Sequence, residues 1–179
     1  DDEDEDEEEF PNNFVIKSVD INPTDNSILI SSEISKYSYY TYTSSSYNSF
    51  NKTWDYTTNY VHRFTNQDIL VINSDKDGNI KWLNAIPKSQ VEEIRTSRNS
   101  RGGMYFFNDY SGYFAKAGGM PYYSSFISLI SNNILFVILN DHTSNNVMAQ
   151  YGDKVKRVYN FKKKSNVYGI SMDLAMGNM

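Results

Sequence analysis

Short runs of β-branched and aromatic residues, each stopped by Asn, Asp, Ser, Gly or Pro, constrain this chain more than any other feature. They occupy positions 14–21, 28–30, 68–72, 80–82, 104–107, 126–130, 134–139 and 167–172. Such short, Cβ-crowded runs favour strands over helices and predict an all-β fold of short antiparallel strands. One stretch departs from the pattern. Positions 89–98 offer Ser89 as a cap with Glu92 and Glu93 in a first turn, so this stretch alone could pass for a short helix.

Four of the turns resemble one another. Asp75-Lys76-Asp77-Gly78-Asn79 separates two strand-like runs, and its glycine can take a positive φ and close a tight hairpin. The stretch 173–178 repeats that arrangement, and 22–26 and 131–133 are looser versions. Anchored on Asn26, Gly78, Asn133 and Gly177, the spacings are 52, 55 and 44 residues. Intervals of roughly 40 to 50 residues with several short strands in each are those of β-propeller blades. So few periods fall short of a closed ring. The sequence therefore predicts propeller-like blades, partial or a fragment of a larger ring, with a β-sandwich as the alternative.

Nine of the 22 acidic residues fill the first nine positions; the remaining 13 face 17 Lys and Arg, so the body is mildly basic. A block of like charge repels itself and buries nothing. Residues 1–10 are read as an acidic disordered tail or linker, and residues 11–179 as a single all-β domain or propeller segment. Opening on Asp rather than Met, the sequence reads as a processed chain or a fragment. Cysteine is absent, which excludes disulfides, thiolate metal sites and a cysteine nucleophile. No apolar run reaches the roughly 18 residues of a membrane-crossing helix, so no transmembrane segment is expected.

Two patterns carry candidate chemistry. Asn73, Asp75, Asp77 and Asn79 offer oxygens around the sharp turn at Gly78, as part of a calcium loop does. Asn84 stands where a bidentate Glu should complete the coordination, and the flanks are strand-like, so a structural hairpin is the plainer reading and calcium the alternative. The second pattern is tyrosine, at 15 of 179 residues. Tyr39, Tyr40, Tyr42 and Tyr47 alternate with Ser and Thr and run into a polar loop at 44–51; Tyr110, Tyr113, Tyr122 and Tyr123 form a second group. Rings that carry a hydroxyl stack on sugars or anchor protein partners; the ordinary alternative is a strand with aromatics on one face. His62 and His142 are the only histidines, and Asp141-His142 comes with no Gly-x-Ser-x-Gly elbow, so no catalytic residues are assigned.

The stretch DILVINSDKDGNIKW at 68–82, followed by Ile86-Pro87-Lys88, resembles uncharacterised propeller-like envelope proteins of Bacteroidetes bacteria. Positions 136–141, 151–154 and 165–173 fit the same order. The resemblance implies a periplasmic, cell-surface or extracellular setting and no assigned catalytic residues. The expected function is a non-catalytic β-propeller-type structural or interaction module of a bacterial envelope or surface assembly, partnered by other protein chains or the rest of a parent protein. The alternatives are a glycan-binding module using the Tyr-rich surface and a hydrolase built on paired carboxylates. No nucleic-acid partner is expected.

Overall fold

A computed structural model describes residues 13–101, 104–108, 121–145, 152–177 and 179, with 99–108 described by backbone alone. The acidic block at 1–10 lies outside them. Among the described residues nine strands follow in order: β1 (Phe14–Ile21), β2 (Ile28–Asn48), β3 (Thr53–Ser74), β4 (Ile80–Ile86), β5 (Gln90–Arg101), β6 (Met104–Asn108), β7 (Phe126–Ser131), β8 (Ile134–His142) and β9 (Ser165–Asp173). One helical turn, α1 (Phe161–Lys164), precedes β9. All pairings between these strands are antiparallel.

The first sheet runs β1-β2-β3-β5-β6 with β4 also on β3; the second runs β7-β8-β9. β3 forks. Its stretch 56–66 pairs with β5 and its stretch 69–74 with β4, while β2 follows its other edge almost throughout. A bulge marks the fork, since Glu33 pairs with Ile69 but Ser35 with Asn66. Bulges bend a ribbon and strengthen its twist. Below the bulge the β2–β3 ribbon belongs to the body; above it the ribbon leaves as an arm.

Leu29, Ile69, Val71 and Ile86 of the first sheet meet Leu135, Val137, Leu139 and Met172 of the second in one buried cluster. Strand alternation delivers them: on β8, Leu135, Val137 and Leu139 point inward while Ile138 between them is exposed. The architecture is therefore all-β and two-layered, and among the described residues neither sheet closes on itself.

All four turn anchors adopt the left-handed conformation: Asn26 at φ 57°, Gly78 at 90°, Asn133 at 62° and Gly177 at 70°. Several of these turns also gather at one end of the body. Asn22 Nδ2 donates to Asn133 Oδ1 at 2.7 Å, Leu174 N to the Asn133 carbonyl at 3.0 Å, and Trp82 Nε1 to the Leu174 carbonyl at 3.0 Å. Lys81 reaches Asp25 at 2.6 Å across the same end.

Two expectations are corrected. Positions 89–98 are strand rather than helix, because β5 pairs with β3 from Asn66↔Gln90 to Tyr56↔Ser100. That ladder satisfies backbone groups on the open edge of β3 and buries Val91 on one face and Ile94 on the other. The polar loop expected at 44–51 is mostly ladder too. β2 and β3 are 21 and 22 residues long and stay paired to Asn48↔Thr53, leaving only 49–52 as the turn.

The turn end yields a stability prediction. A Cβ at Gly177 would lie 2.7 Å from the Trp82 ring, whereas nothing stands within 4 Å of one at Gly78. Gly78→Ala should cost about 1–2 kcal/mol for its positive φ, and Gly177→Ala about 1–3 kcal/mol more for the overpacking. Urea denaturation of both variants checks this; equal costs would mean that Trp82 does not hold the chain at 173–177.

Candidate functional site

Cross-strand register decides what the arm presents. Tyr37 faces Phe64, Tyr39 faces His62, Thr41 faces Tyr60, Thr43 faces Thr58, Ser45 faces Tyr56 and Tyr47 faces Trp54. Directly paired side chains share a face, so these twelve residues form one stripe of roughly 33 Å, at about 3.3 Å per residue over ten residues. None of the twelve is Asp, Glu, Lys or Arg. His62 does not add a charge at neutral pH, because burial holds its imidazole below the usual value. Ring contacts lock the stripe: Tyr37 to Phe64 at 5.2 Å, Tyr39 to His62 at 4.9 Å and Tyr47 to Trp54 at 5.3 Å. Tyr37 and His62 Nδ1 also share a 2.8 Å hydrogen bond. Phe64 is buried at the base, while Tyr39, Tyr47, Trp54 and Tyr56 are each about half exposed.

The opposite face of β2 and β3 differs in kind, although β5 flanks the stripe itself with Glu92 beside Phe64 and Arg98 beside Thr58. Tyr40 and Tyr42 project there with Asp55, Arg63 and, from β5, Glu93 and Arg95. Arg95 Nε donates to Glu93 at 3.1 Å, and Tyr40 flanks the fully buried Val61. The four tyrosines singled out on β2 are thus divided by strand alternation: Tyr39 and Tyr47 on the uncharged face, Tyr40 and Tyr42 on the charged one. Tyr110 and Tyr113 lie outside the described residues. Tyr122 and Tyr123 line a cleft of about 490 Å³ beside β5, with Ile94, Tyr159 and Phe161. The Glu92 carboxylate there accepts the N–H groups of Tyr122, Tyr123 and Ser124 at 3.0, 2.9 and 2.8 Å, so it shapes the cleft wall.

The four candidate calcium ligands do not converge. Asp75 Oδ1 accepts from the backbone N–H groups of Asp77 and Asn79, both at 2.9 Å, and its Oδ2 from Asn79 Nδ2 at 2.8 Å. The Asn79 amide, first among these donors, holds the Asp75 carboxyl below its usual range. Asn73 is buried and donates instead to the Leu174 carbonyl at 3.0 Å. Asp77 pairs with Lys76 in solvent.

Sequence reasoning missed a polar knot at the fork. Lys88 and Glu33 are both fully buried and joined by an ion pair. Lys88 Nζ also donates to Gln90 Oε1 at 3.0 Å, Ser125 Oγ to Glu33 Oε2 at 2.7 Å, and Lys17 reaches the same carboxylate oxygen at 3.1 Å. Ser125 carries φ 84°, a strained value for a residue with a side chain. Burial pulls the Lys88 ammonium down to about 8 against the opposing pull of Glu33. With no solvent-exposed surface on either partner, this acid and base have no contact with a dissolved substrate.

Comparison of the chain with protein-family models, with curated proteins and with solved structures gave no match.

Lys88→Met leaves Glu33 without its buried partner and should cost about 3–5 kcal/mol, whereas Lys88→Met with Glu33→Leu should recover most of that loss. Urea unfolding of the three proteins tests it. The pH dependence has a definite sign. Lys88 sits below its ordinary 10.5 in the fold, so between about 8 and 10.5 the unfolded chain binds more protons and this site's contribution to stability rises with pH. The gap between parent and Lys88→Met should widen across that window; a constant gap would contradict it.

Proposed function

We propose that this chain is a non-catalytic interaction module of a bacterial cell-envelope or surface assembly, and that it engages its partner through the uncharged face of the β2–β3 arm. That face carries the reading: twelve positions without an ionised side chain, six of them Tyr or Trp, on a ribbon that projects from the core. Aromatic surface of this kind binds at low entropic and desolvation cost. In this reading the six-stranded and three-stranded antiparallel sheets are blade-like units of a larger β assembly, completed by other segments of a parent protein or by other chains. The burial of Lys88 and Glu33 supports a non-catalytic role.

A glycan is the second reading, favoured by the hydroxyls of Thr41, Thr43, Ser45 and Thr58 set between the rings. Sugars present apolar C–H faces to rings and hydroxyls to such side chains. The stripe's length suits an extended chain better than a compact ligand.

Tyr37→Ala and Tyr39→Ala should each weaken partner capture about 3- to 10-fold, as expected for about 0.7–1.4 kcal/mol per ring. Tyr42→Ala on the opposite face should leave it within about twofold. Pull-down from envelope extracts and a glycan array measure this. Losses that are equal on both faces, or absent on both, would sink the assignment of the stripe.

A further inference from the structure

The end of the arm has a chemistry of its own. Asn48 Oδ1 accepts the backbone N–H groups of Phe50 at 3.1 Å and Asn51 at 3.3 Å, which folds the turn so that the Phe50 ring stands 94 % exposed. Immediately below it lies the Tyr47–Trp54 pair, with centroids 5.3 Å apart and each residue more than half exposed. From residue 37 to 54 the only ionised side chain is Lys52. It occupies a left-handed conformation at φ 54°, where glycine or asparagine sits with less strain.

We propose that this tip is a lipid anchor, in which Phe50 and the Tyr47–Trp54 pair enter the interfacial layer of a bilayer while Lys52 meets anionic headgroups. The shape argues for a deformable partner. A convex two-stranded end offers no concavity for a small ligand, and a ring as exposed as Phe50, next to two further half-exposed rings, is open to a surface that closes around all three. The composition argues for lipid in particular. Amphipathic Trp and Tyr rings concentrate at the headgroup level, and a lone lysine complements an anionic leaflet. Entry also brings no other charge with it until Asp55, on the opposite face. Reach is sufficient, since the fifteen steps along β2 from Glu33 to Asn48 extend roughly 50 Å at about 3.3 Å each, the last three of them, about 10 Å, past the end of the β5 ladder at Tyr56. A few rings and one lysine give reversible association rather than stable insertion. The anchor shares Tyr47 and Trp54 with the outer end of the stripe, and the variants that separate the two therefore fall on residues they do not share.

The test uses the full chain with vesicles of phosphatidylcholine alone and with added phosphatidylserine. The parent should cosediment with the mixed vesicles, with Trp emission shifted to the blue and quenched by brominated acyl chains. Trp54→Phe should abolish that quenching and keep the sedimentation, since Trp82 packs within the body. Phe50→Ser should lower partitioning about tenfold. Lys52→Gly is the decisive variant: it relieves the turn, so thermal stability holds or rises, yet affinity for the anionic vesicles should fall about fivefold. Absence of vesicle binding by the parent overturns the proposal. So does binding that Phe50→Ser leaves unchanged, or a Phe50-dependent dimer in the absence of lipid, which would make a second copy the occupant. Tyr37→Ala with Tyr39→Ala should leave vesicle binding intact, so failure of the stripe and failure of the tip are read separately.

Discussion

An ammonium and a carboxylate, both sealed from solvent where β3 exchanges one neighbour for another, are the contact on which the rest of the architecture depends. A buried ion pair gains little net stability over apolar residues of equal volume, because desolvation offsets the attraction. What Lys88 and Glu33 add is direction. Glu33 stands at the last regular pair before the bulge, Lys88 in the link between β4 and β5, and Ser125 at the entry to β7. Three parts of the chain far apart in sequence must arrive together for any of these groups to be satisfied, and a register slip on β2 would leave a buried charge unpaired. The strained φ of Ser125 is tolerated at the same place, where the surrounding hydrogen bonds over-determine it.

From that fixed point the molecule divides its labour. Below the fork, apolar side chains of the two sheets supply the cohesion and the turn end is cross-tied by Asn22, Asn133, Trp82 and Leu174. Above it, among the described residues, burial is confined to a few apolar side chains such as Val61, Phe64 and Ile94, outside the main cluster. The arm holds together through its ladder, its paired rings and the support of β5, which extends as far as Tyr56. An isolated two-stranded ribbon is marginal in water, so the paired rings of the stripe help to keep the ribbon intact.

The strand-rich composition was legible from local signals, and so were the left-handed turns at Asn26, Gly78, Asn133 and Gly177, because φ preference is set by the residue itself. The length of β2 and β3 was not. Ser44, Ser45 and Ser46 read as loop formers locally, and only the partner strand, with Tyr56, Thr57 and Asp55 opposite them, makes them strand. Residues 89–98 show the same override, since Glu92 and Glu93 suit a helix start but the open edge of β3 claims them. The knot left no sequence signal at all: Glu33, Lys88 and Ser125 belong to no spacing motif and meet only through the fork. For the candidate site, the tyrosines of β2 were visible, whereas their division between two faces, and the recruitment of Trp54, Tyr56 and Tyr60 from β3, required the register.

The bulge at Ser35 also frees the arm from the body in a geometric sense. Because successive side chains alternate between faces, removing or adding two residues on β2 together with the two opposite them on β3 would preserve every ring's orientation, while an odd change would turn the stripe inside out. Beyond the end of the β5 ladder at Tyr56, arm length is therefore an adjustable dimension, free to vary in even steps without disturbing the packed layers beneath it.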